Sequence, residues 1–234
     1  MFAKIRFYWG AFVISFITAV LMIPAVTIFK NHQGSIMYHL NRLIMLLMGA
    51  RVVVKGARDL DADMLVINHQ GIMDIVAIEA FENHNICWVA KKELFDATWF
   101  GYILKNTDMI SLDRGSKTGL MKLFKDVKRV TENTDRQIAI FPEGTRAKEQ
   151  KLLKFKQGTQ MIANKLKLKV QPVVITGSKW VLNEHNKTGH SGTIYIEFLP
   201  TIDVNQADED WFDKLYDTIQ EKIDYQLTQN NIER

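Results

Sequence analysis

The heptapeptide Asn68-His69-Gln70-Gly71-Ile72-Met73-Asp74 sets an imidazole and a carboxylate on either side of a glycine-containing turn. An aspartate bonded to one ring nitrogen of a histidine fixes the tautomer and leaves the other nitrogen free to take a proton. The chemistry within reach is general-base activation of a hydroxyl or a water. A capping carboxylate beside an unrelated loop histidine would give the same heptapeptide, so this motif alone leaves both readings open. A second group, Phe141-Pro142-Glu143-Gly144-Thr145-Arg146, joins a glycine that lets a ligand approach the backbone to an arginine whose planar fork suits a phosphate. Its plainer reading is a Pro-Gly turn with a surface arginine. Cys87, the single cysteine, lies in the apolar run Ile86–Ala90 and reads as a core residue rather than a nucleophile. His32 and His39 lack a carboxylate or cysteine partner in sequence, which argues against a metal site. His84, His185 and His190 fall in polar loop contexts.

Both groups follow apolar strands, and the elements around those strands decide whether they meet. Strands are expected at Arg51–Val54, Met64–Asn68, Ile86–Ala90, Met109–Leu112, Gln137–Phe141, Val170–Thr176 and Thr193–Leu199. Amphipathic helices lie between them. One runs from Lys117 to Thr131, with Leu120, Phe124, Val127 and Val130 on one face; another closes the chain, with Phe212, Leu215, Ile219, Ile223 and Leu227 on one stripe. This alternation predicts an α/β fold with a mostly parallel central sheet flanked by helices. Parallel strands would bring His69 and Arg146 out at the same sheet edge, where ligands of open α/β sheets bind. The segment Thr176–Thr193 holds three glycines and no helical period, so an antiparallel return of the last strand is expected.

Composition narrows the class. The chain has 234 residues, 47% hydrophobic and 24% charged, which excludes disordered and low-complexity classes. The net charge of +4 is local: residues 1–50 carry Lys4, Arg6, Lys30 and Arg42 and no acid, while the remainder balances. A neutral body argues against nucleic acid as a partner, and a basic, apolar N-terminus points to a membrane surface. From Trp9 to Phe29 no residue is charged, a run long enough to cross a bilayer core. No small-residue cleavage site follows it. The stretch Ile36–Ala50 is too short to span and reads as an amphipathic interfacial helix. The expected organisation is a membrane-anchoring two-helix hairpin over 1–50 and an α/β domain over 51–234. The lysines at 148, 151, 154, 156, 165, 167 and 169 form either a solvated face or a docking surface for acidic headgroups or an acidic carrier.

Together these residues resemble the glycerolipid acyltransferases, most closely the bacterial 1-acyl-glycerol-3-phosphate acyltransferases. That family's NHxxxxD motif matches Asn68, His69 and Asp74, and its FPEGTR motif matches residues 141–146 in full. Lys91 and Glu93 match a KxExxxxP segment whose proline is replaced here by Thr98. Ile110 and Arg114 match I-x-x-x-R, and Val170, Pro172 and Val173 match VxPV. The matches run in order over residues 51–200.

The resemblance implies transfer of a fatty acyl group from acyl-CoA or acyl carrier protein to the 2-hydroxyl of 1-acyl-glycerol 3-phosphate. It implies no acyl-enzyme, no metal and no cofactor. In that scheme His69 is the general base and Asp74 orients it. Glu143, Gly144 and Thr145 shape the acceptor site, and Arg146 holds the phosphate with help from Lys91 and Arg114. The implied partners are lysophosphatidate, the acyl donor and membrane phospholipids, with the catalytic domain on the cytoplasmic face of the inner membrane. The competing expectations are a different lysophospholipid or glycerol 3-phosphate as acceptor, or a non-catalytic membrane-bound lipid-binding protein. An oxyanion donor is required, and no sequence feature singles one out.

Overall fold

The computed structural model describes residues 1–81, 83–113 and 117–232. Helix α1 (Phe2–Phe16) continues through a π-helical turn (Ile17–Met22) into α2 (Ile23–Ile28). Its inward positions are Val13, Ile17, Met22 and Val26, all buried. The step from Ile17 to Met22 is one residue longer than the steps on either side. A regular α-helix would turn Met22 off that face; the wider π turn absorbs the additional residue. A 3-10 turn (Lys30–His32) leads into α3 (Gln33–Met48), which ends at Gly49 in the left-handed region, φ 65°.

The body follows as β1 (Ala50–Lys55), β2 (Met64–Ile67), α4 (Ile72–Phe81), β3 (Cys87–Lys91), α5 (Lys92–Asp96), α6 (Thr98–Asn106), β4 (Ile110–Leu112) and α7 (Lys117–Asn133). It continues with β5 (Ile138–Ile140), α8 (Gln157–Leu166), β6 (Lys169–Thr176), α9 (Ser178–Val181), the hairpin β7 (Leu182–Asn183) and β8 (Thr188–Gly189), β9 (Gly192–Phe198), β10 (Ile202–Asp203) and α10 (Trp211–Gln229). The main sheet has the order β1-β9-β6-β2-β5-β3-β4, with β10 beside β6. Five adjacent strands, β6-β2-β5-β3-β4, are parallel. β9 returns antiparallel to β6, as the glycine-rich segment before it predicts, and β1 lies parallel to β9. Each of the seven expected strands is present; the β7–β8 hairpin, α9 and β10 were not legible as elements.

The sheet separates two apolar layers. Along β2, Leu65 and Ile67 face one layer, and Met64 and Val66 face the other, the two-residue alternation of a strand buried on both sides. Helices α7, α8 and α10 cover the second layer. The first is covered by α4 and by α1 and α3, whose Val13, Ile17, Met37, Ile44 and Met48 share its core. The sequence division at residue 50 is therefore not a division in packing. The first two long helices, α1 and α3, are part of the sheet's cover, and the strand that follows begins at Ala50 itself. On their outer sides Phe2, Ile5, Tyr8, Phe12, Phe16 and Leu46 are exposed, a far larger apolar face than a water-soluble helix carries. The continuous helix Phe2–Ile28 is long and apolar enough to cross a membrane.

Candidate active site

β2 and β5 are direct parallel neighbours, with Leu65 opposite Ala139 and Val66 opposite Ile140. His69 and the 141–146 loop consequently leave the sheet side by side at its carboxyl edge. Asn68 ends β2 by replacing ladder bonds with its side chain: its Nδ2 donates to Ile175 O at 2.9 Å and its Oδ1 accepts from Ile175 N at 2.7 Å. This zips the strand end to β6 and fixes where the next residue points.

Asp74 lies in the first turn of α4 and is fully buried. Its Oδ2 accepts backbone N–H groups of Gln70 (2.6 Å) and Gly71 (2.9 Å) and receives His69 Nδ1 at 2.9 Å. A carboxylate only accepts, so Nδ1 carries the proton and Nε2 keeps its lone pair. The carboxylate thus closes the turn and selects the tautomer at once. The imidazole face lies on Phe141, centroids 3.8 Å apart at 12°, and Phe141 lies on Trp88 at 5.3 Å. Behind the stack, the Trp88 indole donates to Glu79 at 2.6 Å. Burial pushes the Glu79 carboxyl up to about 7, against the opposing pull of that hydrogen bond.

Glu143 departs from its expected role. The sequence points to a part in shaping the acceptor site, yet both of its oxygens are taken by backbone: His69 N donates to one at 2.6 Å and Leu153 N to the other at 2.8 Å. The side chain is buried and works as a bracket that ties the catalytic loop to the segment after the arginine. Burial pushes its carboxyl up to about 8; the two amides and Lys179 oppose that shift, and the negative charge of Asp74 adds to it. Gly144 sits in the left-handed region at φ 71°, where a side chain is strained. Gly144, Thr145 and Arg146 do line the cleft, as does Lys91 at the end of β3. Arg114 lies outside the described residues. Thr98, in the place of the motif's proline, opens α6; a first helical position favours proline without requiring it, so the helix starts there regardless.

Three site residues carried no sequence signal. Glu184 accepts from Arg146 Nη1 at 3.0 Å. Lys179, buried, donates to Ala147 O at 2.5 Å and to His185 Nδ1 at 3.3 Å. Burial holds the Lys179 ammonium below its usual range, opposed first by Glu184. All three follow β6, at the same sheet edge, but only the topology reveals that. Cys87 is buried, and burial raises its thiol to about 11, in keeping with a core residue.

These side chains open on a cleft of about 1140 Å³. At the sheet edge its lining includes Lys91, Arg146, Lys156 and Glu184, and further in Thr18, Asn41 and Glu79 add polar groups from the helices. Its apolar lining comes from α1, α3, α4 and α6, with Ile14, Met37, Ile44, Ile75 and Leu104. A separate cavity of about 560 Å³ between β9, β10 and α10 holds none of the site residues.

The comparisons with known proteins agree with this layout. The family model described as Acyltransferase matches residues 51–176. The chain is 36% identical over 177 residues to a 1-acyl-sn-glycerol-3-phosphate acyltransferase of Helicobacter pylori strain J99, covering 75% of this chain and 74% of that one. It is 29% identical over 145 residues to the enzyme of the same name from Escherichia coli K12, covering 62% and 58%. The crystal structure of the 1-acyl-sn-glycerophosphate (LPA) acyltransferase PlsC from Thermotoga maritima superposes with a TM-score of 0.76 over 96% of this chain and 94% of that one; at 20% identity this likeness concerns the fold. With the family model matching more than half of its length and the Helicobacter relative above 30% identity, the chain belongs to the acyltransferase family.

Proposed function

We propose that this protein transfers a fatty acyl group from an acyl thioester, acyl-CoA or acyl carrier protein, to the 2-hydroxyl of 1-acyl-glycerol 3-phosphate, giving phosphatidate. The observation that carries the reading is the His69–Asp74 pair, 2.9 Å apart, at a cleft lined by Arg146 and Lys91 on its polar side and by apolar helices on the other. The names of the Helicobacter and Escherichia relatives support the same acceptor.

In this mechanism His69 Nε2 removes the proton from the acceptor hydroxyl as its oxygen attacks the thioester carbonyl carbon. The tetrahedral adduct collapses, the C–S bond breaks, and the departing thiolate takes the proton back from the imidazolium. Asp74 stabilises that imidazolium and keeps the ring aimed. Arg146, with Lys91 and Arg114 in support, holds the phosphate; Gly144 and Thr145 shape the acceptor side. No covalent acyl-enzyme, metal or cofactor takes part. The apolar outer faces of α1 and α3 rest in the inner membrane, and the acyl chains of both substrates lie against the inner faces of the same helices. The edge loops open to the cytoplasmic face.

The test is the purified full-length protein in detergent micelles with lysophosphatidate and a series of acyl-CoA and acyl carrier protein donors. Thiol release that depends on lysophosphatidate and yields phosphatidate is the expected result. Thiol release indifferent to the acceptor would overturn the reading.

A further inference from the structure

Arg146 does not meet the cleft as an unpaired cation. Its Nη1 donates to Glu184 Oε1 at 3.0 Å, and that same oxygen accepts the backbone N–H of Ile72 at 2.8 Å. Ile72 is the first residue of α4, a ten-residue helix. The neighbouring amides of Gln70 and Gly71 are already held by Asp74. Glu184 therefore occupies the two donors that an anion arriving beside His69 would use: a guanidinium and a helix N-terminal amide.

The carboxylate lies close against Gly71, which has no side chain to crowd it. A Cβ there would stand 2.8 Å from Glu184 Oε2. That second oxygen is buried and has no hydrogen-bond partner among the described residues, so the seat leaves half of the carboxylate unsatisfied, which is costly. Another place for the charge is close by. Lys179 is a buried ammonium, and of the carboxylates around it Glu184 exerts the largest field. Glu184 itself rides on the short β7–β8 hairpin, whose β8 strand packs against α1.

We infer that Glu184 is a placeholder for the acceptor's phosphate. A phosphomonoester binds by exchanging with the Glu184 carboxylate at Arg146 and at the α4 amide, while Glu184 turns toward Lys179 and His185. The exchange weakens the binding of every anion by the strength of the pair it must open. It also speeds departure of the product, which carries the same phosphate that the returning carboxylate displaces. An acceptor that brings no anion leaves the pair closed. This inference rests on the reading of Arg146 as the phosphate clamp.

The experiment uses the full-length protein in detergent micelles and compares wild type, Glu184→Gln, Arg146→Ala and the double variant. Two quantities are read: KM for lysophosphatidate, and the concentration of inorganic phosphate that halves turnover. Glu184→Gln keeps an oxygen for the Ile72 amide and removes the charge. It is expected to lower both quantities about three- to tenfold and to lower kcat as product leaves more slowly. In the Arg146→Ala background it should change neither, because the competition runs through the arginine. If Glu184→Gln leaves both quantities unchanged while Arg146→Ala raises them, the placeholder is refuted and the clamp stands. If Arg146→Ala does not weaken phosphate inhibition, the clamp itself is wrong. A readout on the wild type guards against a variant that fails to fold. Saturating inorganic phosphate should speed amide hydrogen exchange in residues 183–187, and unchanged exchange there would refute the displacement.

Discussion

The two sides of the cleft are built on opposite terms. On the histidine side the groups that aim the base are held by several donors, although Asp74 Oδ1 and the Gln70 side-chain amide are buried without a hydrogen-bond partner among the described residues. Asp74 Oδ2 takes three donors, Glu143 takes two backbone amides, and the imidazole lies on a stack that ends at a buried carboxyl. On the arginine side the holding pair, Arg146 with Glu184, is partly exposed, and a single backbone amide, that of Ile72, anchors its carboxylate. Preorganised groups lower a barrier because they need no rearrangement as charge develops. A binding group must instead let go of its ligand. The difference teaches where this fold places rigidity: behind the base, and not behind the clamp.

The largest test of that contrast falls on the rigid side. His69→Ala is expected to lower kcat about 10³-fold or more, and Asp74→Asn about 10²- to 10⁴-fold, with little change in acceptor KM. Steady-state kinetics on folded variants would check this; an Asp74→Asn enzyme close to wild type would mean that the turn, and not the carboxylate, aims the ring. On the exchangeable side the expected loss is smaller. Arg146→Ala should reduce kcat/KM for lysophosphatidate about ten- to a hundredfold relative to a monoacylglycerol lacking the phosphate. Arg146→Lys should recover part of it, since an ammonium lacks the two-pronged geometry. Equal slowing of both acceptors would make the arginine structural.

Smaller still is a stability effect with a definite sign. The Glu143 carboxyl sits near 8 in the folded protein against an ordinary 4.5, so the folded state holds a proton that the unfolded chain gives up. Its contribution is complete below about 4.5, falls as pH rises through about 8, and is then constant. Glu143→Gln should flatten that part of a Tm-against-pH curve, and an unchanged slope would show that Glu143 is ionised in place. Smallest is Cys87→Ala. With its thiol buried and raised to about 11, its loss should leave turnover within about twofold of wild type. A larger effect would reopen nucleophilic catalysis.

Much of this was legible in the sequence because it is written in short-range patterns. Strand alternation, the Asn68–Asp74 spacing and the 141–146 loop each fix their own local geometry, and β2 lies directly beside β5. Glu143 was misread because its partners, the amides of His69 and Leu153, come from two different loops. A carboxylate in a motif rich in ligand-binding residues looks like one of them until its acceptors are counted. Glu184 was invisible for the same reason: its partners, Ile72 and Arg146, are brought to it by the sheet. Residues 1–50 have a second part in the fold that the sequence did not show. An apolar helix whose two faces serve different surroundings shows no amphipathic signal, so its role as a cover for the sheet was hidden behind its length.

The π turn at Ile17–Met22 has a consequence for how chains of this kind are lined up. It stores one residue inside a helix without moving Met22 or Val26 off the inward face. Deleting a single residue between Ile17 and Met22 would leave the inward positions four apart throughout, which a plain α-helix satisfies. Deleting one from Phe2–Phe16 would instead rotate everything before it by about 100°. A relative that lacks the extra residue would therefore keep the same inward face, and the gap in their alignment would fall within a helix and not in a loop.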